Sequence, residues 1–154
     1  MRRQSDSSTG NLAPRLKRDY ERPSSGSWIG RLTELAERLL VTGGSGLLGN
    51  NIVRTIGGEF ETFATYLNHP SDVVCCSFVP LDITRRESVL SMVQRIVPHL
   101  VIHTAGLVNV DYCERHEDET WVVNVEGTEN IARAAKLVGA RLINISTNAA
   151  IDGG

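Results

Sequence analysis

Aromatic residues make up only 5% of the 154-residue chain, and no stretch approaches the roughly 18 to 20 apolar residues that a membrane-spanning helix needs. An excess of one charge is lacking too. Sixteen Lys and Arg face 18 Asp and Glu, for a formal net charge of −2, which leaves no electrostatic case for nucleic-acid binding. Cysteine is sparse and odd in number (Cys75, Cys76 and Cys113). With no secretory apolar segment after Met1, reduced thiols in a cytoplasmic setting are expected. His69, His99 and His116 have no partners at metal-ligand spacing, so no metal site is expected. Hydrophobic residues at 41% and charged residues at 22% exclude collagen-like, coiled-coil and wholly disordered chains. The length allows one domain.

The small net charge hides an asymmetry. Residues 1–31 carry seven Arg and Lys against Asp6, Asp19 and Glu21, a balance of +4, which leaves −6 for the remainder. The same stretch holds six serines, Pro14 and Pro23 among few aliphatics. It cannot bury enough apolar surface to offset its chain entropy. Residues 1–37 are therefore expected to be a disordered, basic, Ser-rich extension, with a globular domain over 38–154. The Arg/Ser content faintly suggests a transit peptide, and the three acids argue against one.

From Arg38 the text changes character. Arg38, Leu39, Leu40, Val41 and Thr42 form a short apolar run that ends in Gly43-Gly44-Ser45-Gly46-Leu47-Leu48-Gly49. Leu48, Ile52, Val53 and Ile56 follow at helical spacing. Strand, glycine turn and helix in that order suit a dinucleotide. Gly43 lets the chain turn off the strand, Gly46 clears the approach to a diphosphate, and Gly49 lets the helix lie close to the sheet. The helix N-terminus then offers free N–H groups to the phosphates. A plain structural turn is the competing reading. Leu32, Leu35, Ala36, Leu39 and Leu40 also fit a helix running into the glycines.

The rest alternates between strands and helices. Strands are expected over 60–66, 77–81, 100–104 and 141–146, the second of them weakened or placed at an edge by Pro80. Thr84-Arg85-Arg86-Glu87 reads as a capping box opening a helix that Pro98 stops. A long helix is expected over 119–138, ended by Gly139. Such alternation requires parallel pairing. The fold class is thus α/β, a Rossmann-type doubly wound parallel sheet with strand order 3-2-1-4-5, and its ligand crevice lies at the switch between strands 1 and 4.

Several segments together resemble one family. Thr42 to Gly49 looks like the cofactor motif of extended short-chain dehydrogenases/reductases, Leu81-Asp82-Ile83-Thr84 their adenine-contacting segment, and Val101 to Gly106 their fourth-strand motif. Val123-Asn124-Val125-Glu126-Gly127-Thr128 is similar to their V-N-x-x-G-T helix motif. Val108 to Glu114 and Ile145-Ser146-Thr147-Asn148 resemble the dTDP-4-dehydrorhamnose reductase-like branch, which also holds the methionine adenosyltransferase β subunit.

That resemblance implies an NAD(P)-binding oxidoreductase passing hydride to a 4-keto nucleotide sugar, with NADP or NAD as cofactor. It puts the diphosphate on Gly43, Ser45, Gly46, Leu47, Leu48 and Gly49, and the adenine beside Asp82 and Ile83. Thr104, Ala105, Gly106 and Leu107 would line the nicotinamide ribose side. Asn124 would tie its helix to strand 4, Ser146 would border the cofactor, and Thr147 would hydrogen-bond the substrate carbonyl as the catalytic residue. The absence of a carboxylate in Tyr66-Leu67-Asn68-His69, at the end of strand 2, leans toward NADP or dual use.

Departures from the family pattern matter as much. No Tyr is followed by Lys four residues on, since Ser24, Pro70 and His116 stand there, so the family's proton donor is missing. Asn148 and Ala149 replace an Asp and a Tyr. The chain is expected to be the cofactor half of such an enzyme, incomplete at its C-terminus. The alternative is a non-catalytic nucleotide-binding regulatory subunit similar to the methionine adenosyltransferase β subunit. A homo-oligomer or a partner subunit would cover the open sheet edge. His103 is expected to be a satisfied core histidine rather than an acid or base, and Asp82 is open to a second role as a helix cap.

Overall fold

The computed structural model describes residues 37–146. Apolar β-formers build the centre of the sheet. β1 (Arg38–Thr42) buries Leu39, Leu40, Val41 and Thr42 completely, and β4 (Leu100–His103) beside it buries Val101, Ile102 and His103. A strand buried on both faces reads as a continuous apolar run rather than an alternating one. β2 (Glu61–Tyr66) and β3 (Ser77–Pro80) lie on one side of this pair and β5 (Arg141–Asn144) on the other. All five are parallel in the order β3-β2-β1-β4-β5, as the alternation predicts. Pro80 sits on the edge strand, where its missing N–H costs no interior ladder bond.

The helices divide between the two faces. α1 (Leu47–Ile56) packs Val53 against Leu39, Val41, Ala64 and Ile102. α2 (Arg86–Ile96) and α5 (Gly127–Leu137) cover the opposite face, where Leu40 and Val101 meet Val89, Met92, Val93, Ile96, Ile131 and Ala135. Gly139, with φ 73, ends α5 in a Schellman arrangement: Gly139 N–H bonds Lys136 O at 3.2 Å and Ala140 N–H bonds Ala135 O at 2.9 Å.

Three details differ from the sequence expectation. The helix expected over 119–138 begins earlier, as α4 (Glu117–Trp121), and passes through a π-helical turn, Val122–Glu126, before α5. A short helix, α3 (Val110–Arg115), precedes it. The capping box at Thr84 does not form. α2 has Arg85 at its N-cap with no side-chain cap bond, and Thr84 lies one residue outside it, in a turn where its hydroxyl donates to Asp82 Oδ1 at 2.6 Å.

Candidate functional site

The switch in winding direction lies between β1 and β4, and the loop leaving β1 opens there. Gly43 makes the turn with φ 70, and a Cβ at this position would come within 2.8 Å of the Ala105 backbone. The loop is held to the end of β2: Gly43 N–H donates to Thr65 Oγ1 at 3.3 Å and Gly44 N–H to Thr65 O at 2.7 Å. α1 follows directly, with Gly46 as an extended N-cap and no capping side chain. Among the described residues the N–H groups of Ser45, Leu47, Leu48 and Gly49 have no partner. They form a set of donors at the positive end of a helix dipole. Gly49 has a separate role: a Cβ there would strike the Gly43 carbonyl and approach Thr104 Oγ1 to 2.8 Å. The first turn of α1 is thereby pressed against the ends of both central strands.

A crevice of about 300 Å³ opens at this point. Gly43, Ser45 and Gly46 form its floor, Asp82 and Ile83 one wall, and Thr104, Ala105, Gly106 and Leu107 the other. Nine of the residues singled out from the sequence thus converge on one cavity. Leu47, Leu48, Gly49, Asn124 and Ser146 do not line it. The Leu47 side chain is 87% exposed, and Ser146 is exposed beyond β5. Thr147 lies outside the described residues, as do Asn148 and Ala149.

Asp82 does the work of a local turn. Its Oδ1 accepts from Thr84 N–H at 3.0 Å as well as from the Thr84 hydroxyl, and its Oδ2 meets Arg85 Nε at 3.3 Å. The hydroxyl bond in particular holds its carboxyl below the usual carboxylate range. Ile83 is buried, and its carbonyl is bound by Asn130 Nδ2 at 3.0 Å from α5. Asn124 ties the π turn to the loop beyond β4 rather than to the strand itself. Leu107 N–H donates to Asn124 Oδ1 at 2.8 Å, and Asn124 Nδ2 donates back to Leu107 O at 2.9 Å.

Beneath the loop, His103 is 2% exposed. Its Nδ1 lies 2.5 Å from Thr42 Oγ1 and its Nε2 3.1 Å from Thr128 Oγ1. Both ring nitrogens are satisfied, and burial pushes the imidazole down to about 4. It is a neutral core histidine, not a site acid.

Tyr66 and Leu67, from the end of β2 that the sequence reading used for the cofactor choice, also border the crevice, and sequence reasoning missed Thr65 and Glu119 beside them. The Tyr112 hydroxyl donates to Glu119 Oε2 at 2.7 Å, and this bond raises the phenol above its ordinary range. Glu119 lies in the acidic run 117–119, which also lines a separate hollow together with Glu114, Arg115 and His116. Among the described residues no group of His, Cys, Asp and Glu is arranged to hold a metal ion, and no helix is long and apolar enough to cross a membrane.

Comparison with known proteins agrees with this geometry. Residues 37–154 match the family model described as RmlD substrate binding domain. A dTDP-4-dehydrorhamnose reductase from Aggregatibacter actinomycetemcomitans is 30% identical over 118 residues, covering 75% of this chain and 36% of the relative. The methionine adenosyltransferase 2 subunit beta of Xenopus laevis is 29% identical over 147 residues, covering 88% of this chain and 41% of the relative. The crystal structure of a hypothetical dTDP-4-dehydrorhamnose reductase from Sulfolobus tokodaii superposes with a TM-score of 0.69 at 28% identity, over 75% of this chain and 41% of that one. The chain therefore spans about two fifths or less of the length of these proteins.

Proposed function

The chain belongs to the RmlD substrate-binding domain family, and from that premise we propose that its crevice binds a nicotinamide dinucleotide and serves reduction of a 4-keto nucleotide sugar. One observation carries this reading: the amides of Ser45, Leu47, Leu48 and Gly49, which have no partner among the described residues, stand at a glycine turn that opens into a crevice at the sheet's switch point. An anion seated there exchanges its hydration for fixed N–H donors and a helix dipole. The absence of side chains at 43 and 46 lets a diphosphate reach the backbone.

The remaining residues then take positions by chemistry. The wall of Thr104, Ala105, Gly106 and Leu107 borders the nicotinamide ribose, with Asn124 keeping Leu107 in place. Ile83 offers an apolar surface to the adenine and Asp82 shapes the turn beside it. Ser146 follows β5, and by the family resemblance the Thr147 hydroxyl would hydrogen-bond the substrate carbonyl oxygen. When bound, the cofactor supplies the hydride. This chain's residues bind, orient and exclude water. β2 ends in Tyr66, Leu67, Asn68 and His69, with no carboxylate to pair a ribose 2′-hydroxyl or repel a 2′-phosphate, so NADPH is the favoured form and NADH the second.

A cytoplasmic setting goes with this reading, as does a partner or second copy along the outer edge of β5, where Ile143 and Ile145 are about half exposed. The similarity to the methionine adenosyltransferase β subunit, which runs over 88% of this chain, favours a second reading in which the same crevice binds the dinucleotide without turnover. Isothermal titration of the full chain with NADPH and NADH tests the binding claim, and no heat with either contradicts it. Reduction of a 4-keto nucleotide sugar by the chain would exclude the second reading.

A further inference from the structure

The donors and acceptors around His103 fix its tautomer. Thr128 has one hydroxyl proton, which goes to the carbonyl of Asn124 at 2.7 Å, so toward His103 its oxygen accepts. Nε2 therefore carries the ring proton, and Nδ1 accepts from the Thr42 hydroxyl. The result is a directed chain: Thr42 to His103, His103 to Thr128, Thr128 to Asn124.

Each end of that chain grips a different side of the crevice. Thr42 immediately precedes the Gly43 turn, and its carbonyl is held by Thr104 Oγ1 at 2.7 Å. Asn124 makes both of its amide bonds to Leu107. The chain crosses the π turn Val122–Glu126, a local insertion that helices keep mainly where function requires it. No member is left unsatisfied: the described residues include no buried side-chain nitrogen or oxygen without a partner. The chain's Thr42–His103 link is buried and the links through Thr128 and Asn124 are half-buried, and a fully connected polar network holds a defined geometry because displacing one member costs the others their partners.

We propose that His103 is a positioning residue that fixes the separation between the diphosphate turn at Gly43 and the wall at Leu107, through Thr42 on one side and Thr128 with Asn124 on the other. The proposal rests on the reading of the crevice as a dinucleotide site. His103 touches no ligand in this account. It sets how far the nicotinamide half of a bound dinucleotide stands from its diphosphate.

The test compares two ligands on the full chain: the nicotinamide dinucleotide that binds wild type, and the matching ADP-ribose, which keeps the diphosphate and lacks the nicotinamide. Thr128→Val breaks the chain beyond His103. It is expected to weaken the dinucleotide about tenfold, the usual scale for one lost buried hydrogen bond, while ADP-ribose stays within about twofold. Thr128→Ser returns the hydroxyl and is expected to restore the ratio. If Thr128→Val does not fold, His103→Gln, which keeps a donor toward Thr128 and gives up Thr42, is expected to show the same selective loss. Equal weakening of both ligands, or a lower melting temperature with an unchanged ratio, would overturn the proposal and leave the network purely structural. A wild-type chain that binds neither ligand overturns the dinucleotide reading as well, so the two failures are distinct.

Discussion

Asn124 and Leu107 form a closed pair: the side-chain amide of the first takes both the N–H and the C=O of the second, at 2.8 and 2.9 Å. The helix after β4 and the crevice wall are thus joined at one residue. Asn124→Ala is expected to cost about 1–3 kcal/mol, because both Leu107 backbone groups lose their partner. Asn124→Asp should cost more, since a carboxylate then faces the Leu107 carbonyl. Urea unfolding midpoints check both, and an Asp variant as stable as wild type would contradict the pairing.

The glycine loop makes a graded prediction. Gly49→Ala puts a methyl group into the Gly43 carbonyl and close to Thr104 Oγ1, and backbone cannot yield cheaply. A loss of roughly 1–3 kcal/mol is expected, with dinucleotide binding abolished. Gly43→Ala meets both a positive φ and the Ala105 backbone at 2.8 Å and should be as damaging. Gly58→Ala, whose added Cβ meets nothing within 4 Å, is the control, and thermal melts should leave it within about 0.5 kcal/mol of wild type.

His103 makes stability depend on pH. Its folded value of about 4 lies below the ordinary imidazole value of 6.5, so between these limits the unfolded chain binds a proton that the folded chain refuses. Stability is full above pH 6.5 and falls as the pH drops toward 4. At about 1.4 kcal/mol per tenfold difference in proton affinity, the loss is about 3 kcal/mol. Chemical denaturation at a series of pH values measures it. His103→Gln should flatten that part of the profile, and an unchanged slope in this variant would assign the effect elsewhere.

Val97 closes α2 in the left-handed region, with φ 47 and ψ 60, and is 41% exposed. A β-branched residue is strained there, and Pro98 behind it keeps the helix from continuing. Val97→Gly is expected to raise stability by about 0.5–1 kcal/mol, visible as a higher melting temperature. A lower one would mean that the packing of Val97 outweighs its backbone strain.

Much of this was legible in the chain itself, for identifiable reasons. The strand, glycine turn and helix at 38–56 announce themselves because period, composition and turn chemistry agree there, and the alternation of elements leaves few sheet orders. Gly139 is readable as a helix end because few other residues accept its φ. Thr84 was misread because local spacing does not fix the first residue of a helix: α2 takes Arg85 as its N-cap, and Thr84 falls in the preceding turn, where its hydroxyl donates to the Asp82 carboxylate. The π turn at Val122–Glu126 inserts a single residue, which shifts the apolar spacing too little to be seen through Trp121, Val122 and Val125, all exposed. Glu119 borders the crevice from α4, a helix that the sequence reading started two residues late, because charge patterning does not fix such a boundary.

The account stands on the four amides at the glycine turn, and proton–nitrogen correlation NMR observes them directly. On titration of the full chain with ADP-ribose, the amide signals of Ser45, Leu47, Leu48 and Gly49 should move furthest downfield, as N–H groups do on donating to a phosphate oxygen. Those of Gly44 and Gly46, already bonded to Thr65 O and Gly43 O, should move less. Saturable binding that leaves these four signals unmoved would contradict the account.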